Sequence, residues 1–511
     1  MRWKRSLVLT MAVAVVLGAC GDSGYSESPY QEPPPNASGA TPSSLPQNDE
    51  PYDMVYFDNS GVNPFIDTED DSLSTFALDV DTGSYTVARR YLNDGYLPDK
   101  DSVRVEEFVN YFDQDYPIPS LEDGLALSVD GGPTPFLQNP RNQVVRIGVQ
   151  SGELTGFERA DANLVFVIDT SGSMQREDRL ELVKRSLELL VSALQPTDTI
   201  AIVEYGSRAR QVLAPTPVGE EGEILSAIYS LHPNGSTNAA EGLELGYRLA
   251  NEAFREGGIN RVILCSDGVA NVGAATGAEG ILDLIAADAE KGIEMVSVGF
   301  GMGNFNDTLM EQLANQGDGF YAYVDTLDEA RRIFVDGLNA TLVTVAKDAR
   351  IQVEFDAGKV QSWRLIGFEN RALDDDEFRD DSVDAGEIGA GHTVTALYEI
   401  KPWPDTVGGE LGVARLRWIH PESSAPREIE QVISTEGLSA QFESTSPRFQ
   451  LDVLVAQYAE VLRESMWAEQ TGSDLSDVAF WSRGLTQLLP GDEDVAEFVG
   501  LVEQAAALSS P

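Results

Sequence analysis

The sequence predicts a multidomain protein in which a doubly wound α/β domain is inserted into an antiparallel β-domain and is followed by a C-terminal helical segment. Three observations predict this architecture. Short apolar strands alternate with amphipathic helices from about 161 to 340, strand-rich sequence lies on both sides of that block, and apolar residues recur at helical spacing from 447 to 508. The 511 residues are enough for two to four domains of ~100–200 residues each.

The net charge of the chain excludes one class of function. Against 84 Asp and Glu residues stand 35 Lys and Arg residues, which gives a formal charge of −49 at pH 7. So acidic a surface repels the phosphate backbone, and we therefore expect no nucleic-acid partner. With 42% hydrophobic residues, the chain still has the apolar content of a folded protein.

The first twenty residues are typical of an export signal. Three basic residues precede an apolar run at 7–17, which is shorter than the ~20 residues needed to span a bilayer. The sequence LGAC at 17–20 resembles the lipobox of bacterial lipoproteins, in which the cysteine is lipidated and becomes the first residue of the processed chain. This resemblance implies a signal peptide at 1–19 and an exported protein held at the bacterial cell envelope by lipid on Cys20. A secretory signal with an incidental cysteine is the alternative.

The remaining sequence divides by composition. Residues 20–50 are rich in Pro and Ser, without apolar periodicity, and predict an extended tether. We expect an N-terminal region at 51–120 and a β-rich domain in two pieces at 121–160 and 341–440. The α/β domain lies between those pieces at 161–340, and a helical region follows at 441–511. Helices are expected in the N-terminal region at Tyr85–Leu92 and near Val103–Tyr111.

Strands are expected on both sides of the α/β block. Their β-branched residues and the Gly, Pro and Asn residues between them favour an antiparallel sandwich or barrel. The expected strands are Leu125–Val129, Val144–Val149, Leu342–Val345, Arg350–Val353, Trp363–Ile366, Thr393–Ile400 and Gly412–Trp418.

Within the α/β block, five strands are apolar along their whole length. They are Leu164–Ile168, Thr199–Tyr205, Val262–Cys265, Met295–Val298 and Phe320–Val324. Helices are expected between and after them at about 178–194, 221–231, 238–256, 278–290, 305–315 and 326–338. Apolar strands separated by helices predict a parallel, Rossmann-like sheet covered on both faces. Arg210–Ala214 is short enough to be an edge strand.

Polar residues follow the strands of this predicted sheet. In an open parallel sheet, ligands bind beyond the carboxyl ends of the strands, where three loops should open on one side. The loops are Asp169–Ser173, Asn234–Asn238 and Ser266–Gly268, and their pooled set of ligands is two carboxylates and three hydroxyls. Such oxygen ligands suit a hard cation, with Mg²⁺ favoured and Mn²⁺ or Ca²⁺ as alternatives. The three histidines are scattered without zinc-ligand spacing, which disfavours zinc.

At this point the sequence resembles, position by position, the metal-ion-dependent adhesion site (MIDAS) of the von Willebrand factor type A (VWA) family, and the matching residues are Asp169, Ser171, Ser173, Thr237 and Asp267. The resemblance covers roughly 180 residues and implies that the protein binds a partner protein through a divalent cation, with a carboxylate of the partner completing the metal's ligands. It implies a binding protein and no enzyme. The flanking motifs FALDVDTGSY at 76–85 and DAGEIGAGH at 384–392 resemble an envelope subfamily that carries this domain in a lipoprotein.

Three alternatives remain open at this stage. Asp169 and its serines could simply cap the next helix. Asp79-Val80-Asp81 has the form of a metal-dependent phosphohydrolase nucleophile and acid, although Gly83 stands where that pattern expects Thr or Val. A structural envelope protein with an unused metal site is the third. Cys265 lies in an apolar strand, which predicts a buried thiol, and Met174 is expected either on the rim of the site or packed beneath its loop.

Overall fold

The structure, a computed structural model, describes residues 52, 55–136, 139, 141–154, 159–268, 278–302 and 305–509. The predicted signal peptide, Cys20 and the predicted tether lie outside the described residues. Across the described ranges, no helix combines the length and the apolar character that crossing a membrane requires.

The N-terminal region contributes two short strands and two helices, and two longer strands follow it. They are β1 (Ile66–Asp67), β2 (Leu73–Ala77), α1 (Gly83–Asn93), α2 (Val105–Asn110), β3 (Leu125–Gly132) and β4 (Gln143–Ser151). Both predicted helices form, although a turn of 3₁₀ helix at Lys100–Ser102 precedes the second.

The α/β domain holds one six-stranded sheet with helices on both faces. Its elements are β5 (Ala162–Asp169), α3 (Arg179–Ala193), β6 (Thr199–Tyr205), β7 (Ala209–Pro217), α4 (Glu221–Tyr229), α5 (Ala239–Glu252), β8 (Ile259–Ser266), α6 (Ala278–Ala289), β9 (Glu294–Phe300), α7 (Asp307–Asn315), β10 (Phe320–Val324), α8 (Leu327–Arg331) and α9 (Leu338–Leu342). The strand order is β10-β9-β8-β5-β6-β7, and all neighbours are parallel except the antiparallel edge strand β7.

Burial on both faces explains why these strands are apolar throughout. In β5, Val165 and Val167 pack into the core on one face, whereas Leu164, Phe166 and Ile168 pack into the core on the other. The predicted doubly wound domain is therefore confirmed, and so is the buried thiol, since Cys265 is 0% exposed.

The β-rich region is an antiparallel sandwich built from sequence on both sides of the α/β domain. Its later strands are β11 (Thr344–Phe355), β12 (Val360–Ile366), β13 (Gly386–Gly389), β14 (Thr393–Pro402), β15 (Glu410–Ile419) and β16 (Pro426–Ser434). One sheet has the order β1-β12-β14-β4-β3 and the other β13-β11-β15-β16, with β2 paired to β11. Buried side chains of both sheets form one core.

One predicted strand boundary is wrong. Leu342–Val345 was expected to be a strand, but Leu342 ends helix α9 and the strand begins at Thr344. The apolar pair at 342–343 fits a buried helix end as well as a strand, so its sequence cannot distinguish them. The single helix expected at 326–338 is also interrupted, because a π-helical turn at Arg332–Asp336 separates α8 from α9.

Five helices complete the chain: α10 (Pro447–Leu462), α11 (Met466–Thr471), α12 (Leu475–Ser482), α13 (Leu485–Leu488) and α14 (Glu493–Ser509). One apolar core joins α1 and α2 with α10, α12, α13 and α14. Different parts of residues 51–120 thus pack in different cores, because β1 and β2 join the sandwich while Val55 and Phe57 pack in the α/β domain. The predicted fold class, an α/β domain inserted in a β-domain with helices after it, is confirmed.

Candidate metal centre

Two central strands of the α/β sheet bring the first and third polar loops together. Strands β5 and β8 are parallel neighbours, and Ile168 pairs with Cys265. Asp169 and Ser266 therefore end these strands side by side, and the Ser266 hydroxyl donates a hydrogen bond of 3.0 Å to Asp169 Oδ2. Asp169 Oδ1 accepts one of 2.7 Å from the Ser171 amide, which folds the first loop back over the strand end.

A chain of hydrogen bonds joins the predicted ligands of these two loops. Ser171 Oγ lies 2.9 Å from Ser173 Oγ, and Ser173 Oγ donates to Asp267 Oδ1 at 3.0 Å. Adjacent oxygen ligands of an octahedral Mg²⁺ with bonds of ~2.1 Å also lie ~3 Å apart. The spacing and the oxygen chemistry of these groups therefore fit a hard cation.

The second loop is fastened to the first through its backbone. The Gly172 amide donates to the Gly235 carbonyl at 3.1 Å, and the Asn234 amide donates to the Thr170 carbonyl. Gly235 has a φ of +83°, a conformation that glycine adopts without strain. Thr237 follows in this loop, half-buried, directly before Asn238, whose side chain caps helix α5. The fold thus carries all five predicted residues on three loops at one sheet edge.

Burial makes the two carboxylates costly to hold as anions. Asp169 is 0% exposed and Asp267 is 1% exposed. Burial, together with the nearby Asp267 carboxylate, raises the pKa of Asp169 to about 7. Burial also raises the pKa of Asp267, against the opposing effect of its hydrogen bonds from Ser173 and Arg179. Among the described residues, Asp169 has hydroxyl and amide donors but no cationic partner, so a cation placed here would relieve this cost.

Arg179 is a member of this site that the sequence reasoning missed. Its Nη1 lies 2.7 Å from Asp267 Oδ2, and its Nη2 donates to the Met302 carbonyl in the loop after β9. Its guanidinium is 3% exposed. A signal was present in the sequence, because Arg179, Val183 and Leu187 recur at helical spacing on the buried face of α3.

The structure shows the surroundings of three residues whose roles the sequence left open. Met174 is 1% exposed and packs in the core beneath the loop, so it is not a rim contact. Asp79 and Asp81 do not stand free at a strand end, because Asp79 Oδ2 pairs with Arg371 at 2.9 Å and Asp81 Oδ1 accepts from the Tyr321 amide at 2.9 Å. Nothing in this geometry favours a phosphohydrolase.

Comparisons with known proteins match three parts of the chain to family models. The von Willebrand factor type A domain model matches residues 163–359, and a von Willebrand factor model matches 51–146. A model of the C-terminal part of the uncharacterized protein YfbK matches 340–408 and 403–508.

Two individual proteins and one solved structure are similar to this chain. The uncharacterized protein YfbK of Escherichia coli (strain K12) is 36% identical over 471 residues, which are 87% of this chain and 80% of that protein. The uncharacterized protein sll0103 of Synechocystis sp. is 28% identical over 190 residues, 37% of this chain and 44% of that protein. A solved von Willebrand factor type A protein from Catenulispora acidiphila is 14% identical and aligns over 78% of this chain and 91% of its own, with a TM-score of 0.43.

Proposed function

Since the chain belongs to the family of the uncharacterized protein YfbK and carries a von Willebrand factor type A domain, we propose that it is a cation-dependent binding protein of the bacterial cell envelope. It is anchored by lipid on Cys20, and it binds a divalent cation, Mg²⁺ first among the candidates. Through this cation it binds a carboxylate of a protein partner. The cation ligands are Asp169, Ser171, Ser173, Thr237 and Asp267.

The observation that supports this proposal is the chain of hydrogen-bonded side-chain oxygens that joins the first and third loops, while the second loop is fastened to the first through its backbone. A helix cap at Asp169 alone would not require Ser173 to bond with Asp267, which lies 94 residues further along the chain. VWA domains generally mediate interactions between proteins, and no catalytic step forms part of the proposal.

The local charge supports an acidic partner group. Asp169 and Asp267 together carry two negative charges, and Arg179 neutralises one of them. A divalent cation would leave the site with one net positive charge, which an incoming carboxylate would balance. The neutral hydroxyls withdraw little charge from the ion, so it would remain a strong Lewis acid toward that carboxylate.

Titration calorimetry with Mg²⁺ tests the metal site. We expect the full-length chain to bind one Mg²⁺ and Asp169→Ala to bind none. Asp283→Asn, which removes a carboxylate from an exposed position of α6, should bind as the unchanged chain does. Equal heats from the unchanged chain and Asp169→Ala would overturn the assignment.

A second experiment tests the partner. The immobilised chain is exposed to solubilised envelope proteins with Mg²⁺ or with chelator, and Asp169→Ala serves in parallel. Bound proteins should be released by chelator and should not bind the variant. Binding that survives both treatments would contradict adhesion through the metal.

Cys20→Ser tests the anchor, since it should move the chain from the membrane fraction to the soluble fraction.

A further inference from the structure

Two sequence motifs that the VWA site does not use border one cavity. The motif at 76–85 supplies Asp79 and Asp81 to its lining, and the motif at 384–392 supplies Asp384 and Glu387. The cavity has a volume of about 180 Å³ and lies away from the five adhesion-site residues, none of which lines it. We call it the acidic cavity.

Strand β11 holds the two motifs against each other. The Leu78 amide donates to the Ala349 carbonyl at 2.9 Å, and Ala349 is the pairing partner of Gly386 in β13. The backbones approach so closely that a Cβ on Gly386 would lie 1.9 Å from the Leu78 carbonyl oxygen. The contact fixes the acidic side chains of both motifs around one space, although the motifs lie at 76–85 and 384–392 in the sequence.

The lining of the acidic cavity has too few cations for its carboxylates. Four carboxylates face one guanidinium, Arg371. Arg371 Nη2 lies 2.9 Å from Asp79 Oδ2 and 3.2 Å from Glu311 Oε1, so its charge is already shared by two acids. With all four acids ionised, the lining would carry an uncompensated negative charge, which is expensive in a partly dehydrated space.

One buried carboxylate oxygen in this lining has no hydrogen-bond partner. Asp81 is 2% exposed, its Oδ1 accepts from the Tyr321 amide, and its Oδ2 accepts from no described residue. The nearest cationic nitrogen, Arg371 Nη2, is 3.7 Å from that oxygen. Buried carboxylate oxygens normally have partners, so this orphan points to a ligand that the cavity receives.

Three further oxygens lie close enough together to share an ion. Carboxylate oxygens of Asp318, Asp384 and Glu387 all lie within 4.8 Å of one another, and Asp318 directly precedes Gly319 of the lining. Lys347 Nζ lies 3.2 Å from Asp318 Oδ2. Asp384 is exposed, which gives solvent access, while Glu387 is half-buried. Burial raises the pKa of Asp384 to about 6 and raises the pKa of Glu387, the electrostatic cost of gathering these groups.

We propose that the acidic cavity holds a second cation site, distinct from the adhesion site, which binds one Ca²⁺ through Asp384, Glu387 and Asp318. Ca²⁺ accepts six to eight oxygens at ~2.3–2.6 Å in a flexible arrangement, whereas Mg²⁺ demands near-ideal octahedral geometry at ~2.1 Å. Carboxylates that come from chain-distant segments and lie up to 4.8 Å apart suit the larger ion.

The bound ion would join two parts of the molecule. Asp318 belongs to the turn between α7 and β10 of the α/β domain, and Asp384 belongs to the segment before strand β13 of the sandwich. One cation between them ties the inserted α/β domain to the sandwich that surrounds it. This role does not depend on the adhesion site or on any partner.

Equilibrium dialysis with ⁴⁵Ca²⁺ tests the proposal. All chains are full length and carry Asp169→Ala, so that the adhesion site binds no ion in this experiment. A negative result here therefore does not bear on the adhesion site. We expect this background to bind one Ca²⁺, and we expect Asp384→Asn and Glu387→Gln each to raise the Kd at least tenfold. Asp376→Asn is the matched control, because it removes one exposed carboxylate outside the lining.

Far-UV circular dichroism verifies that each variant is folded. Asp384 is exposed, so Asp384→Asn should fold even if Glu387→Gln does not. Unchanged affinity in folded Asp384→Asn overturns the site, and so does a folded Asp169→Ala chain that binds no Ca²⁺. Loss of affinity in Asp376→Asn as large as in Asp384→Asn would attribute the binding to general surface charge and would also overturn it.

Discussion

Asp169→Asn should stabilise the metal-free α/β domain at pH 8. Asp169 is 0% exposed and has neutral hydrogen-bond donors, while Asp267 lies nearby as a second carboxylate. Its pKa rises from 3.8 to about 7, mainly through burial. The raised value means that this carboxylate favours the folded state below pH ~4 and that its contribution is lost as the pH rises through about 7. The neutral amide avoids that loss.

The expected gain can be worked out from this environment. A shift of about three pKa units corresponds to ~4 kcal/mol at a pH above both values. The amide cannot accept the Ser266 hydroxyl hydrogen at its nitrogen, which costs ~1 kcal/mol. A net gain of ~3 kcal/mol remains, and it would slow hydrogen exchange that requires opening of the domain by about 100-fold.

Hydrogen exchange of β5 amides, followed by mass spectrometry in chelator at pH 8, measures this effect within the domain itself. Asp198→Asn is the matched control, because Asp198 is equally buried but pairs with Arg159 at 3.0 and 2.5 Å. Removing that charge leaves a buried guanidinium unpaired and should cost ~3–5 kcal/mol, so exchange should accelerate. Mg²⁺ should then slow exchange in the unchanged chain and leave Asp169→Asn unaffected. If Asp169→Asn instead accelerated exchange as Asp198→Asn does, the idea of an electrostatically strained site would be refuted.

Two further predictions address the rest of the fold. Gly386→Ala should lower the free energy of unfolding, measured by urea denaturation, by ~1–3 kcal/mol, because the new Cβ would overlap the Leu78 backbone. Gly500→Ala in helix α14 is the control. Its Cβ would meet no atom within 4 Å, so this substitution should be neutral or stabilising. Burial and the Glu369 charge raise the pKa of Glu106 to about 7. The free energy of unfolding should therefore fall as the pH rises from 5 to 8, because Glu106 becomes a buried anion. Glu106→Gln should reduce this fall by ~3 kcal/mol. An equal dependence on pH in both chains would show that Glu106 carries no such strain.

Much of the α/β domain followed from local sequence pattern. Strand β5 is buried on both faces, so its residues are apolar without alternation, and this run is visible without any knowledge of the fold. Asp169 ends β5 and Asp267 directly follows β8, so the rule that parallel strands carry ligands at their carboxyl ends placed both in the candidate site. The strand boundary predicted at Leu342 was wrong, because a short apolar pair fits the spacing of a strand and that of a buried helix end equally well.

The sequence by itself determined which elements form and which polar loops end at one side of the sheet, because hydrophobic periodicity depends on residues that are near neighbours along the chain. Only the tertiary structure decided which charges meet across the chain. Arg179 pairs with Asp267, and the Asp81 and Glu387 motifs share the acidic cavity. A counter-ion is chosen by proximity after packing, and residues far apart along the chain bear no local mark of the partner that they will meet.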